Sequence, residues 1–272
     1  MLRQRLLVTL VLLPLGMAAI FLGGWYFTAL MAVFLGLAAW EYAQLFRVGG
    51  LQPANVLVVG GVLLLLLGRM LDGFDSAPWI LSLLILLSMV WHLVAYERGR
   101  DQSGTDLAVT LGGILYLGWI GGYFISLRSL PDGQWWVLMV LPAVWFADSG
   151  AYFIGRAWGR HKLSPRLSPK KTWEGYLGGI VSGVILTALF AAIWQVGAGP
   201  ESGITPLRGA LMGLAMGIFP TLGDLGESMI KRQVGMKDSS NLLPGHGGFF
   251  DRVDSWLWAA VLGYYLITWL WL

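Results

Sequence analysis

The sequence predicts an all-α polytopic membrane protein, with about nine transmembrane helices and cytoplasmic polar loops. Three observations lead there. Of 272 residues, 57% are hydrophobic and 12% charged, about half the charged share of an ordinary soluble chain. Apolar runs continue for about the 20 residues a helix needs to cross hydrocarbon, whereas barrel strands would alternate over short segments. The basic residues gather on alternate loops, as the positive-inside rule requires of a spanning chain. The 15 Trp suit the membrane interface. Cysteine is absent, so disulfides, thiolate metal sites and a Cys nucleophile are excluded.

Taken in order, the spans are predicted at 6–22, 25–46, 54–70, 78–96, 107–127, 134–154, 174–196, 206–222 and 255–272. Residues 1–21 have the charge order of a signal peptide, with Arg3 and Arg5 ahead of an apolar run. No small-residue cleavage site follows, so the segment reads as an uncleaved first span. Spans 54–70 and 206–222 are short and contain glycine, and Pro220 is expected to kink the second. With nine spans, 15 of the 18 Lys and Arg fall on one side, leaving Arg69, Arg128 and Arg208 on the other. The basic side is expected to be cytoplasmic. Compactness without targeting extensions suggests a bacterial inner membrane.

The chain divides by chemistry into 1–130, about five generic spans, and 131–272, which carries two polar cytoplasmic loops. In the first part Glu41 reads as an interfacial residue and His92 as a satisfied packing residue. Asp72, Asp75, Asp101 and Asp106 read as solvated loop charges.

The second part differs. In the block 148–179, Asp148 lies late in an apolar run with Tyr152 one turn on. A carboxylate in hydrocarbon costs about 2.5–3.5 kcal/mol, so it should face a polar cavity or a partner. Six bases follow between Arg156 and Lys171. By charge alone they are a topology signal and a surface for anionic headgroups. The order S-P-K-K-T-W-E-G adds a second possibility. Ser168 or Thr172 can open a helix whose N-terminus attracts phosphate, with Lys170 and Lys171 beside it and Glu174 next.

The longest stretch unfit for hydrocarbon is 228–254, SMIKRQVGMKDSSNLLPGHGGFFDRVD. Asp224, Asp251 and Asp254 supply hard oxygen donors, and Lys231, Arg232, Lys237 and Arg252 supply anion contacts. Ser228 follows Asp224 by one turn, and Lys231 follows Ser228 by three residues, forming a polar stripe on a helix. Gly245, Gly247 and Gly248 allow tight turns and close backbone approach. Asp251 and Asp254 share a helix face, either as ligands or as a dipole-matching helix start. His246 reads equally as a phosphate contact or a support for the turn.

The spacing S-x-x-K-R-x4-K-D-x5-P-G-H-G-G-x2-D-R-x-D resembles the signature of the phosphatidate cytidylyltransferase (CDP-diacylglycerol synthase) family, and 148–179 resembles its S-P-x-K-T-x-E-G region. Ser149 departs from the more usual Thr while keeping the hydroxyl. The likeness covers mainly 148–254. It implies cytidylyl transfer from CTP to phosphatidate, giving CDP-diacylglycerol and pyrophosphate in phospholipid biosynthesis. It further implies Asp224, Asp251 and Asp254 as ligands of Mg²⁺, with room for a second cation, and a catalytic set of these three with Lys231. Ser168, Lys170, Lys171, Thr172, Ser228, Arg232, Lys237, His246, Gly247, Gly248 and Arg252 are the implied substrate contacts. The implied partners are CTP and bilayer phosphatidate, with no nucleic acid; a homodimer is compatible. An ion-coupled transporter and a CTP-dependent polyprenol kinase are the rival readings.

Overall fold

The computed structural model describes residues 2–240, 242 and 247–272, with side chains from residue 10 onward. The chain forms two compact units, Met1–Ser126 with Ile230–Val253, and Leu127–Met229 with Asp254–Leu272.

The first unit contains α1 (Leu2–Leu22), α2 (Gly24–Val48), α3 (Asn55–Asp72), α4 (Ala77–Glu97) and α5 (Ser103–Gly113). A π-helical turn (Ile114–Trp119) leads to α6 (Tyr123–Arg128), which belongs to this unit as far as Ser126. Leu65, Ile80, Leu84 and Ile114 form a core cluster, whereas Leu86, Val90 and Leu93 on α4 are exposed. An apolar helix exposing such residues suits contact with lipid. Arg69 is buried, its guanidinium 3.6 Å from the Phe74 ring centre and donating to Ser126 Oγ at 3.2 Å. Stacking on aromatic rings is one way to keep a buried guanidinium satisfied.

One polar residue here departs from the sequence reading and another follows it in part. Asp106 is fully buried rather than solvated; it accepts from Arg100 Nε at 2.8 Å and from the Gln52 backbone N–H at 2.7 Å. His92 is buried as expected, with Nε2 2.9 Å from Thr110 Oγ1, but it is not fully satisfied: its buried Nδ1 has no hydrogen-bond partner among the described residues.

The second unit contains α7 (Gly133–Trp158), an antiparallel hairpin of β1 (Lys162–Ser164) and β2 (Ser168–Thr172), α8 (Trp173–Ala198) and α9 (Pro206–Ile218). It also takes α10 (Pro220–Gln233) as far as Met229 and α11 (Phe250–Leu270) from Asp254 onward. The break between α9 and α10 falls at Phe219, directly before Pro220, where loss of an amide donor interrupts the helical ladder. Close packing of α8 on α9 depends on small residues. A Cβ at Gly183 would lie 2.9 Å from the Gly213 carbonyl oxygen, so neither position has room for a larger side chain.

Seven described helical segments are long and apolar enough to cross a membrane: Gly24–Val48, Asn55–Asp72, Ala77–Glu97, Ser103–Arg128, Gly133–Trp158, Trp173–Ala198 and Pro206–Gln233. The protein is therefore all-α and polytopic, as predicted. The other two predicted spans fall in α1, apolar over Leu10–Leu22, and in α11; neither is among the seven.

Candidate functional site

In the second unit, α7 and the hairpin bound a cleft of about 450 Å³. Asp148, Tyr152 and Arg156 reach it from α7, Lys162, Lys170, Lys171 and Thr172 from the hairpin, and Tyr176 from α8. The local sequence explains the build. Thr172 ends β2 and caps α8, its Oγ1 accepting from the Gly175 N–H at 3.2 Å. Glu174, in the first turn of α8, accepts from the backbone N–H of Arg160 at 3.0 Å and of His161 at 3.2 Å. It also pairs with His161 Nδ1. One carboxylate thus ties the segment that enters the hairpin to the helix that follows it.

Three of the four predicted contacts in this block, Lys170, Lys171 and Thr172, line the cleft, while Ser168 pairs with Ser164 in the hairpin ladder. Arg156 and Lys162 also line it. The sequence marked them as a topology signal and a surface for anionic headgroups, without naming them as substrate contacts.

Acidic residues of the same unit meet these bases. Lys171 Nζ forms an ion pair with Asp224. Asp254 is buried, feels the charges of Asp224 and Asp148, and shares a hydrogen bond with Glu227. Its Oδ1 accepts from the Ser255 N–H at 2.6 Å. Ser228 is half-buried on α10. Among the described residues, no three His, Cys, Asp or Glu side chains form a ready-made metal cage.

In the first unit, 230–253 builds a second polar centre around Asp251. Lys231, itself buried, donates to Asp251 Oδ1 at 2.6 Å. Asp251 Oδ2 accepts from the Gly248 N–H at 2.8 Å, the Ser239 N–H at 3.0 Å and Ser239 Oγ at 2.9 Å. Both carboxylate oxygens therefore have protein partners. Gly247 has φ of +80°, a conformation side chains resist. A Cβ on Gly248 would collide with Ser239 Oγ and Glu41 Oε2, so close approach demands glycine there. Arg232, Lys237 and Arg252 are exposed. His246 and Gly245 lie outside the described residues.

Glu41 corrects the sequence reading most sharply. It is not interfacial but completely buried, and it accepts from Ser239 Oγ at 3.0 Å, Ser240 Oγ at 2.5 Å and the Phe250 N–H at 2.7 Å. A lone carboxylate near the end of an apolar run carried no sequence signal for this role.

The second unit thus carries a cleft with basic walls beside acidic residues, and the first unit a carboxylate that holds the Gly248 amide and a buried lysine. Basic side chains and carboxylates of this kind are the groups with which membrane-embedded enzymes of phosphate chemistry work. The chain belongs to the cytidylyltransferase family, whose pattern it matches over residues 3–270. It is 36% identical to a phosphatidate cytidylyltransferase of Pseudomonas aeruginosa, covering 99% of this chain and 97% of that one. It is 34% identical to the Synechocystis phosphatidate cytidylyltransferase, over 97% and 96%. A Bacillus subtilis protein of that name is 38% identical over 72% of this chain and 70% of its own.

Proposed function

We propose that the protein transfers the cytidylyl group of CTP to phosphatidate, releasing pyrophosphate and forming CDP-diacylglycerol. Family membership along the full chain carries this reading. The site chemistry supports it. The attacking phosphatidate oxygen is already anionic near neutral pH, so a strong base or protein nucleophile is not needed. The difficulty is to bring two polyanions together and to stabilise charge on the α-phosphate and the leaving pyrophosphate.

Arg156, Lys162, Lys170 and Lys171 give the cleft the charge to hold nucleotide phosphates. Lys231, oriented by Asp251, is assigned to the phosphoryl group that carries developing charge. Ser228, Arg232, Lys237 and Arg252 remain proposed substrate contacts, the last three on exposed positions.

The donor set fits Mg²⁺. Asp224 and Asp254 offer hard oxygens beside Asp148, and Mg²⁺ commonly binds through one or two carboxylates plus substrate phosphates. A complete protein cage is thus not required. When bound, the ion would neutralise phosphate charge. Asp251 was expected as a third ligand; with both oxygens held by protein donors, we assign it to orienting Lys231 and the glycine turn instead. The active site is placed on the cytoplasmic side of a bacterial inner membrane, in keeping with the basic loops and the bacterial relatives.

The test is to follow parallel reactions with α- and γ-labelled CTP and Mg²⁺ in detergent, with phosphatidate and a polyprenol both supplied as acceptors. Transfer gives α-label in the lipid and γ-label in pyrophosphate. If γ-label enters a lipid alcohol while α-label stays in CDP, the protein is a lipid kinase.

A further inference from the structure

Glu41 belongs to none of the phosphate-handling motifs, yet it meets them. It sits on α2, within a run of buried residues that includes Ala39, Tyr42 and Leu45. Burying a carboxylate is costly unless its oxygens find donors. Among the described residues, those donors come from the polar stretch that follows α10 and the start of α11: Ser239, Ser240 and Phe250. Phe250 also sets its ring edge-on to Tyr42, centres 5.8 Å apart.

The connection does not stop at Glu41. Ser239 bridges the two carboxylates: its Oγ lies 3.0 Å from Glu41 Oε2, to which its one hydroxyl proton can be given, while its backbone N–H donates to Asp251 Oδ2 at 3.0 Å. Asp251 in turn holds Lys231 and the Gly248 amide. A continuous chain of hydrogen bonds therefore runs from α2 through Ser239 and Asp251 to the Lys231 ammonium.

We infer that Glu41 is a positioning residue: through Ser239 and Asp251 it fixes the glycine turn and the direction of Lys231. The inference rests on the cytidylyl-transfer reading for its kinetic meaning. The clasp acts on a cation needed as charge develops, so its loss should fall on kcat more than on KM.

The experiment compares wild type, Glu41→Gln, Ser240→Ala and the double variant in detergent. It measures kcat, KM for CTP and phosphatidate, and amide deuterium uptake over 237–250. Gln keeps the volume of Glu but turns one acceptor into a donor, facing groups that already donate. The expected result for Glu41→Gln is a kcat lowered about tenfold or more, the range for hydrogen bonds to a charged group. Both KM values should change less than about threefold, and uptake should rise over 237–250. Ser240→Ala, which removes one of three donors, should lower kcat about threefold. Added to Glu41→Gln it should cost almost nothing more, because both act through one clasp.

Wild-type kcat in folded Glu41→Gln, or unchanged uptake over 237–250, would overturn the inference and leave Glu41 as packing only. If Glu41→Gln does not fold, Ser240→Ala decides by the same two readouts. A wild-type protein that makes no lipid product would instead sink the proposed reaction, while the uptake comparison would still report whether the clasp exists.

Discussion

Lys171 and Gly248 show how single residues set the chemistry. Lys171 is paired with Asp224 on the cleft wall, so it can exchange a carboxylate for a nucleotide phosphate without leaving its place. Lys171→Gln is expected to raise KM for CTP about tenfold, the scale of one lost charge-assisted contact, with a smaller change in KM for phosphatidate. Steady-state kinetics varying each substrate in turn checks this; equal effects on both would remove Lys171 from the nucleotide side. Gly248 has no room for a methyl group against Ser239 and Glu41. Gly248→Ala should destabilise the fold by about 1–3 kcal/mol, the usual cost of overpacking. Thermal unfolding in detergent reads that loss, which Gly60→Ala should not match, since Gly60 is helical and faces open space.

At the level of elements, the hairpin and the start of α8 act as one device. Glu174 ties the approach to β1, and Thr172 caps the helix that β2 enters. Thr172→Ala should cost about 1 kcal/mol through the lost cap. Glu174→Gln removes the charge that gathers two backbone amides and His161, and should raise KM for CTP while leaving the global unfolding temperature nearly unchanged. A large fall in that temperature would mean that Glu174 supports the whole unit rather than the cleft. These elements were legible in the sequence because their chemistry is contiguous: the cap, the lysines and Glu174 lie within 168–174. The hairpin itself was not foreseen, since the two prolines and basic run of 156–171 read as loop. Its three-residue β1 is too short to show alternation.

For the molecule as a whole, hydropathy was sufficient to read the class, because a bilayer requires long continuous apolar helices. It did not reveal how distant parts of the chain meet. Glu41 and its partners are separated by 198 to 209 positions, and Asp106 is paired with the backbone of Gln52 54 positions away. Such carboxylates look like surface charge until the fold buries them. Compactness divides the chain differently from polarity: the chemistry changes near residue 130, while Ile230–Val253 packs in one unit with Met1–Ser126. The membrane assignment makes its own prediction: the protein should stay with the bilayer through alkaline carbonate washing and leave it only in detergent, as fractionation and immunoblotting would show. Release by carbonate would rule out a spanning protein.

The central claim is cytidylyl transfer at a site that depends on buried carboxylates. The most direct measurement is the formation of organic-extractable label from α-labelled CTP and phosphatidate, comparing purified wild type with Asp254→Asn at equal folded concentration. Asp254 is buried among Asp224, Asp148 and Glu227, and asparagine keeps its shape while removing its capacity to ionise. The account expects labelled CDP-diacylglycerol from wild type and at least a hundredfold less from the variant, about 2.7 kcal/mol of lost transition-state stabilisation. Equal labelled product from both proteins would contradict the assignment of Asp254, and no labelled lipid from wild type would contradict the reaction itself.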